Sequence, residues 1–191
     1  MKTQSDDRAE RVGFDVPALP GMPLDEVVTP ALLIDLDAFE YNVAELRERL
    51  ATAGVRLRAH SKTHKSVDIA RYQMTHGGAC GICCQKLSEA EVMVAGGIDD
   101  VLISNQVVDP AKVERLAALA LRARILVCVD DAGNVEQLSN AAARHDSGIE
   151  CLVEIDCGAG RCGVPPGEPA RRLAQQIAAS PGLTFAGIQA Y

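Results

Sequence analysis

The sequence predicts an α/β fold, an incomplete (β/α)8 TIM-like barrel, and three observations carry that expectation. Short apolar runs alternate along the chain with longer stretches whose apolar residues recur at helical spacing. The runs are mostly apolar, as parallel strands covered on both faces are. The 191 residues hold six such runs from residue 55 onward, with five helices between them, whereas a closed barrel needs eight strands and typically about 250 residues. On pattern alone an open doubly wound sheet remains the other layout.

Residues 1–28 carry charges, three prolines and no sustained period, and they read as an irregular N-terminal extension. Residues 29–191 are the partial barrel domain. From Thr29-Pro30 the pattern changes: residues 31–36 are apolar and strand-like, and Asp37 is placed to cap a helix carrying Phe39, Val43, Leu46 and Leu50. Strands are then expected at residues 55–59, 79–84, 101–104, 125–129, 149–155 and 184–190. The helices between them fall at residues 67–75, 88–95, 110–121, 132–144 and 165–179, and Pro110 suits the first turn of its helix. The sequence stops at Tyr191, inside an apolar strand. It reads as cut, two strands short of closure, and the open edges predict that this stretch alone folds poorly.

Nearly half the residues, 48%, are apolar, enough for the core of one domain. A formal charge of -7 without a cluster of Lys and Arg excludes a nucleic-acid partner. No apolar run approaches the roughly eighteen residues of a membrane span. The opening Met1-Lys2-Thr3-Gln4-Ser5-Asp6-Asp7 lacks the apolar core of a signal peptide, so the chain reads as cytoplasmic. Seven cysteines, an odd count without framework spacing, are expected to be reduced thiols.

The residue with the sharpest chemistry is Lys62, in Arg58-Ala59-His60-Ser61-Lys62-Thr63-His64-Lys65, where a strand ends and a helix is about to begin. An uncharged amine attacks an aldehyde, and apolar walls with neighbouring cations favour the uncharged form. Gly158-Ala159-Gly160-Arg161-Cys162-Gly163 spells a dinucleotide-binding turn, but Pro165-Pro166 postpones the helix and residues 180–185 hold no acid. The glycines are better read as allowing close backbone approach to a ligand, with Arg161 aiming a fixed charge at it. His60 and His64, with Cys80, Cys83 and Cys84, raise a zinc site, but paired Cys-x2-Cys halves are absent. Glu154 and Asp156 share a strand face, as an acid–base pair or as structural polar residues. Asp35 with Asp37, and Asp99 with Asp100, are expected to cap helices or face solvent, and Glu89 and Glu91 to sit in a first helical turn.

Taken together, Thr29-Pro30-Ala31-Leu32-Leu33-Ile34-Asp35-Leu36-Asp37, the Lys62 block, Cys84-Gln85-Lys86 with Glu89-Ala90-Glu91, and the run from Glu154 to Gly163 resemble the D-threonine aldolase and D-serine dehydratase group. That group belongs to the alanine-racemase-like (fold type III) pyridoxal-phosphate enzymes. Within it, the stretch from Gly13 to Met22 is most similar to 3-hydroxy-D-aspartate aldolases. The resemblance implies a cofactor-holding barrel of the alanine racemase N-terminal type, a C-terminal β-domain lying beyond this N-terminal fragment, and a homodimer. It implies that Lys62 forms the Schiff base with pyridoxal 5'-phosphate, that Arg161 lies near the phenolic oxygen and that Tyr191 sits beside the pyridine ring. Gln85 would be a polar contact at the end of the second strand.

The implied activity of the full-length enzyme is carbon–carbon lyase action on D-configured β-hydroxy amino acids, giving glycine plus an aldehyde or glyoxylate. This chain alone would be inactive. A divalent metal (manganese, magnesium, cobalt or zinc) is implied too, with ligands in the C-terminal domain. His60 or His64 is a candidate base beside Lys62 itself. Dehydration of D-serine or 3-hydroxyaspartate, racemisation, and non-catalytic cofactor carriage are the alternatives on the same barrel.

Overall fold

The structure, a computed structural model, describes residues 10–191. The reading of residues 1–9, as extension without a signal-peptide core, lies outside the described residues. The chain divides into two compact units at Asn42/Val43. In the first, a backbone bridge joins Val12 to Val16 and Leu24–Glu26 forms a single 3-10 turn. Residues 31–35 do not form a strand, which corrects the expectation for that apolar run. Leu32, Leu33 and Ile34 are exposed, and apolar composition makes no strand where no ladder partner lies alongside. Helix α1 (Leu36–Ala53) follows, and its first amides are met by Asp35 rather than Asp37: Asp35 Oδ1 accepts from the Ala38 amide at 2.9 Å.

The second unit is a run of βα repeats. Its strands are β1 (Leu57–His60), β2 (Ala79–Cys84), β3 (Asp100–Ile103), β4 (Arg124–Val129), β5 (Ile149–Ile155) and β6 (Leu183–Ala190). The helices between them are α2 (Val67–Thr75), α3 (Leu87–Ala95), α4 (Pro110–Leu119), α5 (Ala132–His145) and α6 (Glu168–Ala179). All neighbouring strands pair in parallel and in chain order, β1 through β6. This order decides between the two layouts, because a doubly wound sheet reverses its order at a switch point and carries helices on both faces.

Side chains confirm the decision. Ile82 and Cys84 of β2, Val101 and Ile103 of β3, Ile125, Val127 and Val129 of β4, and Ile149, Cys151 and Val153 of β5 join the buried faces of the helices in one large core. The alternate residues Cys83, Leu102, Leu126, Cys128 and Leu152 form a separate, smaller cluster on the opposite face. Period-two alternation thus sends one set to the helices and the other to what is a barrel interior.

Local signals account for most element boundaries. The Ser66, Asp109 and Asp131 side chains accept from the amides of Ile69, Lys112 and Asn134 at the starts of α2, α4 and α5, caps worth about 1 kcal/mol each. Pro110 occupies the first turn of α4. Helix α6 starts later than Pro165 suggests, because Gly167 has φ 89, outside the helical region.

Asp100 departs from its expected role too. It neither caps a helix nor faces solvent: it lies in β3, with Arg58 Nη1 at 2.5 Å and Arg124 Nη1 at 2.9 Å. Arg124 continues to Glu150 at 2.6 Å. The charges form a ladder from β1 across to β5, at the amino ends of the strands.

Candidate active site

The site starts from how the chain leaves β1. After His60 it makes a 3-10 turn, Ser61–Thr63. Ser61 is fully buried, and its hydroxyl donates to the Cys83 carbonyl at 3.1 Å and lies 3.3 Å from Cys84 Sγ. Its own carbonyl accepts from the amides of His64 (3.2 Å) and Lys65 (2.7 Å). The turn is therefore pinned to β2, and Lys62 stands at its crown. Lys62 itself is exposed, and the cavity it lines mixes apolar Cys83 and Leu102 with the cationic side chains of Arg58 and Arg161.

Lys62, Gln85, Arg161 and Tyr191 all line one cavity of about 280 Å³ at the carboxyl ends of the strands. The structure thus brings together all four residues singled out from the sequence. It adds Ser104, Asn105 and Gln189, which the sequence reading missed. The available signal was strand parity, since Ser104 follows the interior residue Leu102 by two positions and Gln189 precedes Tyr191 by two.

Each wall has a physical support. Gln85 is fixed through its backbone, whose amide donates to Glu89 Oε2 at 2.8 Å and whose carbonyl accepts from Asn105 Nδ2 at 3.0 Å. Glu89 thus acts in the first turn of α3 as expected. Glu91 does not; it pairs with Arg115. The Arg161 guanidinium lies over the Tyr191 ring, 4.7 Å from its centre, a cation–π arrangement. Behind it Glu154, only 2% exposed, accepts from Arg161 Nη2 at 3.4 Å and from Gln106 Nε2 at 2.8 Å. A buried carboxylate with a cation and an amide donor is a structural counter-charge rather than a free base. Asp156 is likewise occupied: it accepts from the Gly158 and Gly160 amides, which hold its carboxyl below the usual range.

The two histidines separate. His60 lines the cavity; its Nδ1 accepts from the Lys62 amide at 3.4 Å and its Nε2 lies 3.4 Å from Ser104 Oγ. That pattern leaves the neutral ring's proton on Nε2, so His60 faces the cavity as a donor. His64 Nδ1 accepts from the Ser66 amide at 3.0 Å, at the start of α2, and the residue is not in the cavity wall. Burial lowers the pKa of both, with the Lys62 charge as a second cause for His60. A histidine with a lowered folded pKa takes up its proton later in the native state than in the unfolded chain. Its contribution to stability is therefore complete above about 6.5 and is lost as the pH falls from there through the folded value. Proton NMR titration should place both imidazole midpoints below 6.5; midpoints at or above it would contradict the burial argument.

Burial pushes the thiols of Cys84 and Cys151 up to about 11 and about 12, and those of Cys83 and Cys128 upward as well. These are packing residues, not nucleophiles. Among the described residues no group of three or more His, Cys, Asp or Glu side chains is gathered to hold a metal ion. No described helix is long and apolar enough to cross a membrane.

An amine, a guanidinium and an aromatic ring at the carboxyl mouth of sequential parallel βα units define the class: a βα-barrel domain with its polar cavity where barrel enzymes carry theirs. Comparison with known proteins narrows the class. Residues 34–191 match the family described as alanine racemase, N-terminal domain, and the chain belongs to that family. It is 50% identical over 192 aligned residues to the 3-hydroxy-D-aspartate aldolase of Paracoccus denitrificans, covering 100% of this chain and 50% of that protein. It is 49% identical to the D-threonine aldolase of an Arthrobacter species, over 94% of this chain and 47% of that one. Among solved structures, the D-threonine aldolase of Filomicrobium marinum superposes with a TM-score of 0.89 at 53% identity, over 91% of this chain and 47% of that one. The chain spans about half the length of these relatives.

Proposed function

We propose that this cavity binds pyridoxal 5'-phosphate, and that the protein carrying it is a lyase that splits D-configured β-hydroxy amino acids into glycine and an aldehyde, or glyoxylate where the β-carbon bears a carboxylate. The observation that carries the reading is the convergence of Lys62, Arg161 and Tyr191 on one cavity. The identity to two aldolases supports it. The donor set fits the cofactor: a primary amine for its aldehyde carbon, a fixed guanidinium for its phenolic oxygen, a flat ring to lie beside the pyridine, and Gln85 as a further polar contact.

When bound, the cofactor supplies an electron sink for the pair released as a bond to the substrate Cα breaks. The chain's own residues do the rest. Lys62 would hold the cofactor through its amine, and its Nζ, once free, would take the proton that the substrate's β-hydroxyl gives up and return one to Cα so that glycine can leave. Arg161, kept in position by Glu154, presents a planar guanidinium donor to the cavity. His60 offers Nε2–H to an oxygen in the cavity and so orients rather than deprotonates; His64, turned toward α2, does neither.

The test is to load the intact protein with the cofactor and supply 3-hydroxy-D-aspartate, D-threonine and D-serine. Glycine released with glyoxylate or acetaldehyde is the expected product pattern. Keto acid with ammonia would replace the reading by dehydration, and an inverted amino acid would replace it by racemisation.

A further inference from the structure

Arg161 rides on a loop, residues 157–163, that closes on itself at its base: the Val164 amide donates to Glu154 O and the Asp156 amide to Val164 O, both at 2.9 Å. Within it Gly158, Gly160 and Gly163 have φ of 125, 58 and 108. Glycine reaches these values without strain but restrains nothing. Asp156 ties the first half through the Gly158 and Gly160 amides. The second half is tied from a different βα repeat. Asp130, the residue after β4, accepts from the Gly163 amide through Oδ2 at 2.9 Å. A Cβ on Gly163 would lie 2.5 Å from the Asp156 amide nitrogen, so the loop end is pressed against β5.

We propose that Asp130 is a positioning residue for Arg161: through Gly163 it fixes the backbone just beyond the arginine, and so holds the guanidinium over Tyr191 and within reach of Glu154. The inference rests on the cofactor site proposed above. Its physical ground is that the Arg161 side chain is 47% exposed, so burial alone does not place it. Placement depends on the backbone and on Glu154. An amide bonded to a carboxylate is charge-assisted and stronger than a neutral pair, and losing it leaves a part-buried N–H without a partner.

The test is a double-mutant cycle on the dissociation constant of pyridoxal 5'-phosphate, measured by absorbance for the wild type, Asp130→Ala, Arg161→Ala and the double variant. Asp130→Ala should weaken binding roughly tenfold in the wild-type background and by less than about twofold when Arg161 is already absent. Asp130→Asn, which keeps an acceptor oxygen, should stay within about threefold of wild type. An equal effect of Asp130→Ala in both backgrounds, or none in either, overturns the proposal. Amide exchange at Gly163, read without cofactor, should quicken in Asp130→Ala; unchanged exchange also overturns it. If the wild type takes up no cofactor, the site reading fails on its own, while Gly163 exchange still decides whether Asp130 holds the loop. Should Asp130→Ala melt early, Asp130→Ser takes its place in the cycle.

Discussion

In the full-length protein, replacing Lys62 with alanine should abolish covalent retention of pyridoxal 5'-phosphate and cut amino-acid cleavage by on the order of 10³-fold or more. The argument is one of geometry, because the chain offers a second amine three residues on. Lys65 has a left-handed backbone, φ 53, pairs with Glu89 at 3.7 Å, and is not in the cavity wall. Lys62 is in the wall, at the crown of a turn that Ser61 pins to β2. After borohydride reduction and digestion, mass spectrometry of the wild type should therefore find the pyridoxyl group on Lys62 alone. Lys65→Ala should keep the visible absorbance band of the lysine-bound cofactor, and Lys62→Ala should lose it. Folding should be little affected, within about 0.5 kcal/mol, since the Lys62 side chain is exposed. A cofactor band that survives in Lys62→Ala and vanishes in Lys65→Ala would move the site to the other amine.

The parts of this fold that were legible in the sequence are those set by local periodicity. The bounds of α2, β2 and β5 agree residue for residue with the periodic pattern, because strand and helix there are flanked by clear breaks such as Gly78 and Gly148. Residues 31–36 misled for the converse reason: an apolar run says what could be buried, but a strand also needs a partner edge, which no local pattern encodes. In the site, Lys62 and Arg161 were visible because each sits in an unusual local context, a strand end and a glycine run. Ser104, Asn105 and Gln189 have no such context, and only the sequential order of β1 to β6 brings them to one cavity. Asp100 was the clearest failure. Two adjacent acids after Gly96-Gly97-Ile98 look solvated, yet the second is enclosed by arginines from β1 and β4, each more than twenty positions away in sequence.

Those arginines set the second large expectation: Asp100→Ala should destabilise the protein by about 2–3 kcal/mol, lowering the melting temperature by roughly 5–10 °C. Breaking a fully buried ion pair from one side costs about 3–5 kcal/mol, because the partner is left charged and unpaired. The Asp100 and Arg58 side chains are 17% and 18% exposed and Arg124 is 47% exposed, so solvent screens part of that cost. Arg124 also retains Glu150, whereas Arg58 would lose its only ion pair among the described residues. The ladder depends in turn on Gly81 of β2. Arg58 must cross this strand to reach Asp100, and a Cβ at Gly81 would collide with Arg58 Nη1 and lie 2.8 Å from the Asp100 carbonyl oxygen. Gly81→Ala should therefore destabilise by a comparable amount, and the two changes should add only in part, since both break the Arg58–Asp100 contact while the new Cβ still crowds the Asp100 carbonyl in the double variant. Fully additive losses would mean that Gly81 matters for β2 itself and not for the passage of Arg58. An unchanged melt for Asp100→Ala would mean that the ladder is a solvated surface feature with no part in holding β1 against β3 and β4.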